Sequence, residues 1–177
     1  QANAYPEPEL YALYKEDDVR KTTFFRTQTD GSIIYDKYNL SASPYPWWAS
    51  GGIIMLFRTA ETQLIKAEAL YRLGKTAEAK DALDFFKTGR YLDIENSYTE
   101  SDLLNEILKE RKLEFYHEQD AWWLDMKRTE TRMERIVNGT LYVLEPDDYR
   151  YCFPIPQSET EKNKKMLQNP GWDEINL

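Results

Sequence analysis

The sequence is poor in the residues that build disulfides and metal sites. Of its 177 residues, one is a cysteine, Cys152, and one is a histidine, His117. A lone cysteine excludes an internal disulfide and a multi-cysteine metal site. Glu114 and His117 have the Glu-x-x-His spacing of bundle di-iron sites, but such a site needs a second copy of the motif. We therefore expect no metal and no cofactor, and interpret the pair as part of a polar helix face.

Long apolar runs and an excess of basic charge are also missing. No stretch approaches the roughly 20 apolar residues that cross a bilayer, and the first residues lack the charged and apolar regions of a signal peptide. The 31 acidic residues outnumber the 23 basic ones, which gives a formal net charge of −8. Because such a protein repels polyanions on average, we expect no nucleic-acid partner and favour neutral or cationic ligands.

Aromatic residues are abundant at 14%, and the hydrophobic fraction of 41% is enough for a core. The length fits a single domain, 1–177. Within it we predict an irregular, loop-rich segment over 1–56, a helical core over 57–128 and a tail over 129–177 that extends or wraps without regular elements. In the first segment, Asp30-Gly31 between two strand-like runs predicts a small β-hairpin.

An antiparallel helical hairpin is the clearest local signal. Apolar residues recur at helical spacing along two stretches, at Leu56, Ala60, Leu64, Ala67 and Tyr71, and at Ala79, Ala82, Leu83 and Phe86. Gly74 is expected to end the first helix, and Thr76 can cap the second. The composition of 67–75 is similar to that of a tetratricopeptide unit.

A third helix is predicted after the capping-box signal at 99–102, with interrupted periodicity to about Met126. Glu110, Glu114 and Glu118 recur along it every four residues. Like charges at this spacing repel unless they are neutralised. Arg111 and Lys112 lie among these glutamates and Asp125, Lys127 and Arg128 follow closely, so we interpret them all as members of a salt-bridged network. A carboxylate pair for glycoside hydrolysis is the alternative, although nothing in the sequence singles out such a pair.

Tyr45, Trp47 and Trp48 lie among prolines and glycines, a composition that predicts a loop. Sugar rings present apolar C–H faces on which exposed aromatic rings stack, so these three are our candidate ligand-binding residues. The alternative is that they seal the N-terminal segment against the helices, since aromatic residues are mostly buried. For Trp122 and Trp123, next to charged residues, a structural role is favoured.

Three blocks, in this order, resemble the SusD/RagB family of nutrient-binding outer-membrane lipoproteins. The first is 58–70, which begins Arg-Thr-Ala-Glu and ends Ala-Glu-Ala-Leu. The second is 110–128, with Glu-Arg-Lys-Leu-Glu-Phe, Glu118 and then Trp-Leu-Asp-Met-Lys-Arg. The third is 153–172, with Phe-Pro-Ile-Pro and Gln-Asn-Pro-Gly-Trp. In the second block the family usually has Gly and Arg where this chain has Gln119 and Ala121.

The resemblance implies a mainly α-helical fold with tetratricopeptide-like units, long irregular connections and no enzymatic activity. Family members are lipid-anchored on the surface of Bacteroidetes-type cells, where they cap a TonB-dependent, SusC-like transporter. This chain would be a C-terminal portion, lacking the signal peptide, the anchor and the first helices. The residues that match the family's structural motif are Arg58, Glu61, Glu68, Arg111, Glu114, Glu118, Trp123, Asp125 and Arg128.

From these observations we expect a glycan-binding protein of the outer membrane that serves polysaccharide utilization through a partner transporter. Its membrane association would depend only on a lipid anchor that this chain lacks. An interaction scaffold of the transporter complex, without its own glycan specificity, is the alternative. A glycoside hydrolase is the least favoured reading.

Overall fold

The computed structural model describes residues 5–37, 57–98, 102–118, 121–163 and 165–173. The candidate ligand-binding residues Tyr45, Trp47 and Trp48 lie outside the described residues, as does Leu56. The chain divides into two compact units, 1–119 and 120–177.

The fold is mainly α-helical, as predicted, and contains small antiparallel β-hairpins. The first unit comprises α1 (Pro8–Tyr11), α2 (Arg20–Thr23), β1 (Phe25–Thr27), β2 (Ile33–Tyr35), α3 (Thr59–Arg72), α4 (Thr76–Lys87) and α5 (Leu103–Glu114). The second comprises α6 (Ala121–Arg128), β3 (Met133–Val137), β4 (Thr140–Leu144) and α7 (Gln157–Lys162). None of the helices in the described ranges combines the length and the apolar composition that a bilayer crossing requires.

Helices α3 and α4 form the predicted antiparallel hairpin, and α3 also packs against α5. Leu64 and Ala67 of α3 and Ala79 and Leu83 of α4 are fully buried. The small alanines let the two helix backbones approach closely, while the leucines fill the space beside them. The helical periodicity therefore identified the packed faces of this hairpin correctly.

Gly74 ends α3 as predicted. Its N–H donates to the carbonyl of Tyr71, and the N–H of Lys75 donates to that of Leu70. This pair of bonds is the Schellman motif, which requires a left-handed residue at the position of Gly74; its φ is +74°. The prediction for Thr76 was wrong, because Lys75 is the N-cap of α4 and no side chain caps this end.

The predicted N-terminal hairpin is present, with Phe25 paired to Tyr35 and Thr27 to Ile33. The first strand begins at Phe25, directly after α2, which occupies residues 20–23. Tyr14 packs edge-on against Phe25, with ring centroids 4.9 Å apart. These rings form a core cluster with Leu10 and Leu113, which places the hairpin against α5.

The third helix is shorter than predicted. It begins after Asp102, whose side chain accepts a hydrogen bond from the Leu104 N–H, and it ends at Glu114. His117 has a φ of +60°, which turns the chain out of the helical path. The expected continuation to Met126 was therefore wrong, since α6 is a separate helix of the second unit.

The second unit contains a β-hairpin where we predicted an irregular tail. Strand β3 pairs with β4 from Met133 opposite Leu144 to Val137 opposite Thr140. Asn138 and Gly139 connect the strands with φ values of +50° and +78°. Two successive left-handed residues make the turn that matches strand twist, and Asn-Gly is its strongest sequence signal. The prediction of an irregular tail was therefore wrong for residues 133–144, where a tight Asn-Gly turn lets two strands pair.

Replacing Gly74 by alanine tests the Schellman motif. We expect Gly74→Ala to lower the free energy of unfolding by about 1–2 kcal/mol, because a β-carbon is strained in the left-handed conformation. No heavy atom lies within 4 Å of the added carbon, so a steric clash does not contribute. Urea unfolding followed by circular dichroism measures the change.

Gly89→Ala is the matched control for this substitution. Its φ lies outside the left-handed range, and the added carbon would meet only the Phe86 carbonyl oxygen, at 3.8 Å. We expect a change within about 0.5 kcal/mol of zero, or a small gain in stability. Equal losses for the two variants would contradict the role assigned to Gly74.

Candidate functional site

Carboxylates line one face of α5 and point into the first unit. Glu106 and Glu110 are completely buried, Glu114 is 1% exposed, and Glu118, just past the helix, is 8% exposed. A spacing of four residues keeps successive side chains on one helical face. Buried carboxylates are costly unless they are paired and hydrogen-bonded, so this stripe requires cations from elsewhere in the chain.

Arg20 of α2 is one of these cations, and only 1% of its side chain is exposed. Its Nε and NH2 donate to both oxygens of Asp18, at 2.9 and 2.8 Å. NH2 also donates to Glu110 at 2.8 Å, and NH1 lies 3.6 Å from Glu114. Burial alone would lower the pKa of Arg20, but these carboxylates raise it well above its usual value.

Glu114 binds two further guanidinium groups. Arg90, after the end of α4, donates to both of its carboxylate oxygens at 2.8 and 3.0 Å. Arg58, just before α3, donates to Oε1 at 2.6 Å. Burial alone would raise the pKa of this carboxyl, but hydrogen bonds from Arg90 and Arg58 and the charge of Arg20 lower it to about 2. Glu114 is therefore held as a carboxylate.

Glu118 is shared by Arg58 and Lys37. Arg58 donates to its two oxygens through Nε and NH2, each at 2.9 Å. The Lys37 ammonium binds the same Oε1. It also lies 3.9 Å from the ring centroid of Phe24. Burial lowers the pKa of Lys37 to about 8, and the charge of Arg58 adds to the effect.

At the opposite end of the stripe, Glu106 is held by two lysines. Lys87 Nζ lies 3.1 Å and Lys109 Nζ 2.8 Å from its carboxylate. Lys87 is fully buried and lies 3.5 Å from the ring centroid of Tyr98. Burial lowers the pKa of Lys87. The face of the Tyr98 ring and the Glu106 carboxylate stabilise the protonated, positively charged form of this lysine.

Two tyrosine hydroxyls complete the polar interior. Tyr91 donates to Glu110 at 2.6 Å and accepts from Arg20 at 2.8 Å. Tyr14 donates to the Leu113 carbonyl at 2.7 Å. Burial, followed by the charge of Glu110, raises the pKa of Tyr91, and burial raises that of Tyr14. Both phenols therefore remain protonated donors.

The predicted salt-bridged network is confirmed, and its principal cations come from distant segments. Among the residues that match the family motif, the structure brings Arg58, Glu114 and Glu118 together. Glu61 and Glu68 lie along α3, where Glu68 pairs with Arg72 at 2.8 Å. Such a cluster can hold elements in position, and its carboxylates are buried and bound by cations from within the chain.

The remaining motif residues have other contacts. The guanidinium of Arg111 lies 5.5 Å from the ring centroid of Phe115. In the second unit, Arg128 donates to Asp125 at 2.7 Å. Trp123 is stacked on Phe153 with an interplanar angle of 16°. These contacts support the structural role that the sequence predicted for Trp123.

Sequence reasoning missed most of the cations in the cluster. Arg20, Lys37, Lys87 and Arg90 were not proposed as site residues, although Arg20 lies in a charged stretch, 17–21. Their glutamate partners on α5 and just after it are 19 to 90 positions away in sequence. The regular spacing of the glutamates was the available signal, since it implied that unseen cations had to face them.

A surface groove of about 510 Å³ lies on the α3–α4 hairpin. It is lined by Gln63, Lys66, Leu70, Glu78, Asp81, Ala82 and Phe85. The Phe85 side chain in it is 67% exposed. The mixture of one aromatic ring with charges of both signs suits a weakly polar partner surface.

Comparison with known sequences identifies related proteins. The sequence profile of the SusD family matches residues 13–172. The SusD-like protein P38 of Formosa agariphila is 35% identical over 144 residues, which cover 76% of this chain and 27% of that protein. The starch-binding protein SusD of Bacteroides thetaiotaomicron is 30% identical over 119 residues, which cover 67% of this chain and 21% of that protein.

Comparison with solved structures identifies proteins of the same family. A SusD superfamily protein from Bacteroides fragilis superposes with a TM-score of 0.65 at 25% identity, over 90% of this chain and 35% of that one. A SusD-like protein from the same species has a TM-score of 0.57 at 26% identity, over 81% of this chain and 32% of that one. The chain thus spans about a third or less of the length of these relatives.

The ion pairs of Glu114 predict acid sensitivity. Its pKa is lowered from 4.5 to about 2 in the folded state, so its contribution to stability is complete above pH 4.5 and is lost as the pH falls through about 2. The shift corresponds to about 3 kcal/mol. Unfolding free energies measured in urea between pH 6 and about pH 2.5 should decrease more steeply for the wild type than for Glu114→Gln.

Glu145→Gln is the control, because Glu145 forms an exposed pair with Arg132 in the second unit. This variant should follow the wild-type pH profile within about 0.5 kcal/mol. If Glu114→Gln does not fold, carboxyl NMR titration of the wild type gives the Glu114 pKa directly. A value near 4.5 would contradict the assigned ion pairs.

Proposed function

Because the chain belongs to the SusD family, whose profile matches residues 13–172, we propose that it is part of a cell-surface glycan-binding protein. That protein captures oligosaccharides or polysaccharides at the outer membrane and passes them to a partner TonB-dependent transporter. A lipid anchor on the full-length protein holds it at the surface. The starch-binding relative supports a glycan as the ligand.

The state of the α5 carboxylates supports binding without catalysis. A glycosidase needs a general acid with a raised pKa and a second carboxylate, both open to the sugar. Glu114 has a lowered pKa of about 2 and is 1% exposed. Glu110 is fully buried and is bound by Arg20 and Tyr91. The carboxylates suggested by sequence for hydrolysis therefore act as ligands for internal cations.

We assign ligand contact to Tyr45, Trp47 and Trp48, whose rings would stack on the apolar faces of sugar units. This assignment rests on the chemistry of the residues. The formal net charge of −8 favours neutral polysaccharides over anionic ones, because like charges repel at long range. Stacking supplies the affinity in this proposal, and the overall charge supplies part of the selectivity.

The second candidate function is a scaffold that grips a protein partner such as the transporter. Exposed apolar side chains on the α3–α4 hairpin favour it: Ile65 is 52%, Leu73 74% and Phe85 67% exposed. Solvent-exposed apolar side chains grouped on one element often mark an interface. The two functions are compatible, since a glycan-delivering protein must also contact the transporter.

Substitution of the tryptophans tests glycan binding. We expect Trp47→Ala and Trp48→Ala each to weaken binding about tenfold, the usual cost of losing an aromatic anchor, with the melting temperature near wild type. Native gels cast with soluble starch, xyloglucan or galactomannan measure the retardation of each variant, and an alginate gel tests the discrimination against anionic chains.

Phe85→Ala is the control, because Phe85 is an exposed ring on the α3–α4 groove. It should leave glycan retardation unchanged. A loss confined to Phe85→Ala would move the binding surface to the groove. Unfolding of the tryptophan variants would instead identify those rings as core. Absence of retardation in every gel, with retention of a transporter in a pull-down, would favour the scaffold.

A further inference from the structure

The turn of the β3–β4 hairpin is the one place in the chain where glycine follows asparagine. Asn138 and Gly139 are both exposed at the tip. Neither the Gly139 N–H nor the Asn138 side-chain amide has a hydrogen-bond partner among the residues that the structure describes. A nucleophile and an electrophile are therefore adjacent, because a backbone nitrogen can bond to the side-chain carbonyl carbon of the asparagine before it and close a cyclic imide. Asparagine is for this reason one of the thermolabile residues of proteins.

Gly139 removes the usual obstacle to this ring closure. The nitrogen that attacks must approach the asparagine side chain, and a β-carbon on the attacking residue hinders that approach. Gly139 has no β-carbon, and nothing lies within 4 Å of the position where one would be. Glycine is also conformationally permissive, so the rotations that bring the two groups together are readily made.

Two other asparagines show what is missing elsewhere. Asn105 is also exposed, but the N–H that follows it donates to the Asp102 carbonyl at 3.0 Å in the first turn of α5. Its nitrogen is thus held in a helix and faces away from the asparagine. Asn169 is followed by Pro170, which has no N–H and cannot attack. Exposure, a free N–H and a following glycine come together at Asn138.

The folded turn slows ring closure without preventing it. In the left-handed conformation of Asn138, the next nitrogen lies on the far side of the Cα–C bond from the side chain, so the pair of Val137 with Thr140 must open first. Ile136 and Leu141, which face each other near the tip, are 69% and 54% exposed. Little apolar burial therefore holds the tip closed. Two-stranded hairpins are marginally stable, and such segments open far more often than a domain unfolds.

We propose that Asn138 is a site of spontaneous deamidation through a cyclic imide. The Gly139 nitrogen loses its proton to solvent base and bonds to Cγ of Asn138. The bond from Cγ to Nδ2 breaks, and Nδ2 takes up a proton and leaves as ammonia. Water then adds to one of the two imide carbonyls, and ring opening leaves either aspartate or isoaspartate, in which the backbone runs through the side chain. The net reaction consumes one water and releases one ammonia, so it requires no oxidant.

The isoaspartate product does not fit the turn. Its backbone contains an additional methylene, whereas a two-residue loop fixes Val137 opposite Thr140. We expect the strands to separate from the tip, while Leu144 at the base stays in the core cluster with Met126 and Tyr151. Either product also adds one negative charge to the formal net charge of −8. Deamidation thus makes the hairpin more acidic, and in the isoaspartate form it opens the hairpin.

Peptide mass spectrometry of the folded protein tests the site. The whole chain is incubated in mildly alkaline buffer, sampled over time and digested at acidic pH. We expect the peptide with Asn138 to acquire the mass of the acid and to separate into two species, aspartate and isoaspartate, at a rate at least about tenfold above that at Asn105 or Asn169. Equal rates at the three positions, or aspartate without isoaspartate, would overturn the proposal. So would an unchanged Asn138 when a synthetic peptide of residues 133–144 has fully converted.

Two variants separate the chemistry from the opening of the hairpin. Asn138→Gly has no side-chain amide, and Gly-Gly suits this turn, so it should gain no acidic species. Leu144→Ala weakens the base of the hairpin, and we expect Asn138 in it to react about tenfold faster than in the wild type. If Leu144→Ala does not fold, wild-type protein in urea below its unfolding transition gives the same comparison. A rate that does not respond to either change would contradict the requirement for opening.

Hydrogen–deuterium exchange tests the consequence. Ion exchange separates the deamidated protein by its additional charge, and the isoaspartate form is then compared with the wild type. Amide exchange should rise about tenfold over 133–144 and stay unchanged over 59–87, which comprise α3 and α4. Wild-type exchange over 133–144 in the isoaspartate form would overturn the predicted opening.

Discussion

The carboxylates of α5 can be buried only if cations reach them, and this requirement fixes the positions of the segments around the helix. Arg20 reaches Glu110 across 90 positions of sequence, and Arg58 reaches Glu114 across 56. Each cation belongs to a different element, so satisfying the glutamates brings α2, the start of α3 and the end of α4 to one helix. The ionic cluster thus acts as a set of distance constraints on the first unit.

Such a cluster specifies geometry more than it adds stability. A buried ion pair gains Coulomb energy but loses hydration, so its net contribution to the free energy of unfolding is small. Removing one partner is nevertheless strongly destabilising, because it leaves the other charge buried without a counterion. The apolar contacts of Leu64 and Leu83 give the α3–α4 hairpin its cohesion. The ion pairs of Arg20 and Glu114 instead link α2 and the segments next to α3 and α4 to α5. This division explains how charge and hydrophobicity can both be buried in one small unit.

Local physics made part of this structure predictable. The α3–α4 hairpin followed from helical periodicity and Gly74, because both signals act within a few residues. The end of α5 near His117 could not be predicted in this way, because a left-handed residue other than glycine has no strong local sequence signal. The cations that pair with the glutamates could not be predicted either, because side chains such as Lys37 contact them only through tertiary packing. The hairpin around Asn138-Gly139, in contrast, has a strong local signal and could have been predicted from the sequence.

The cluster also bears on the class of ligand that the proposed function favours. Its cations are Arg20, Lys37, Arg58, Lys87, Arg90 and Lys109, and its carboxylates are Asp18, Glu106, Glu110, Glu114 and Glu118. Because these cations outnumber the carboxylates, the excess acid behind the net charge of −8 lies elsewhere in the chain. Those charges repel anionic polymers over about a Debye length. A neutral glycan escapes this repulsion and needs only flat apolar contacts and hydrogen bonds.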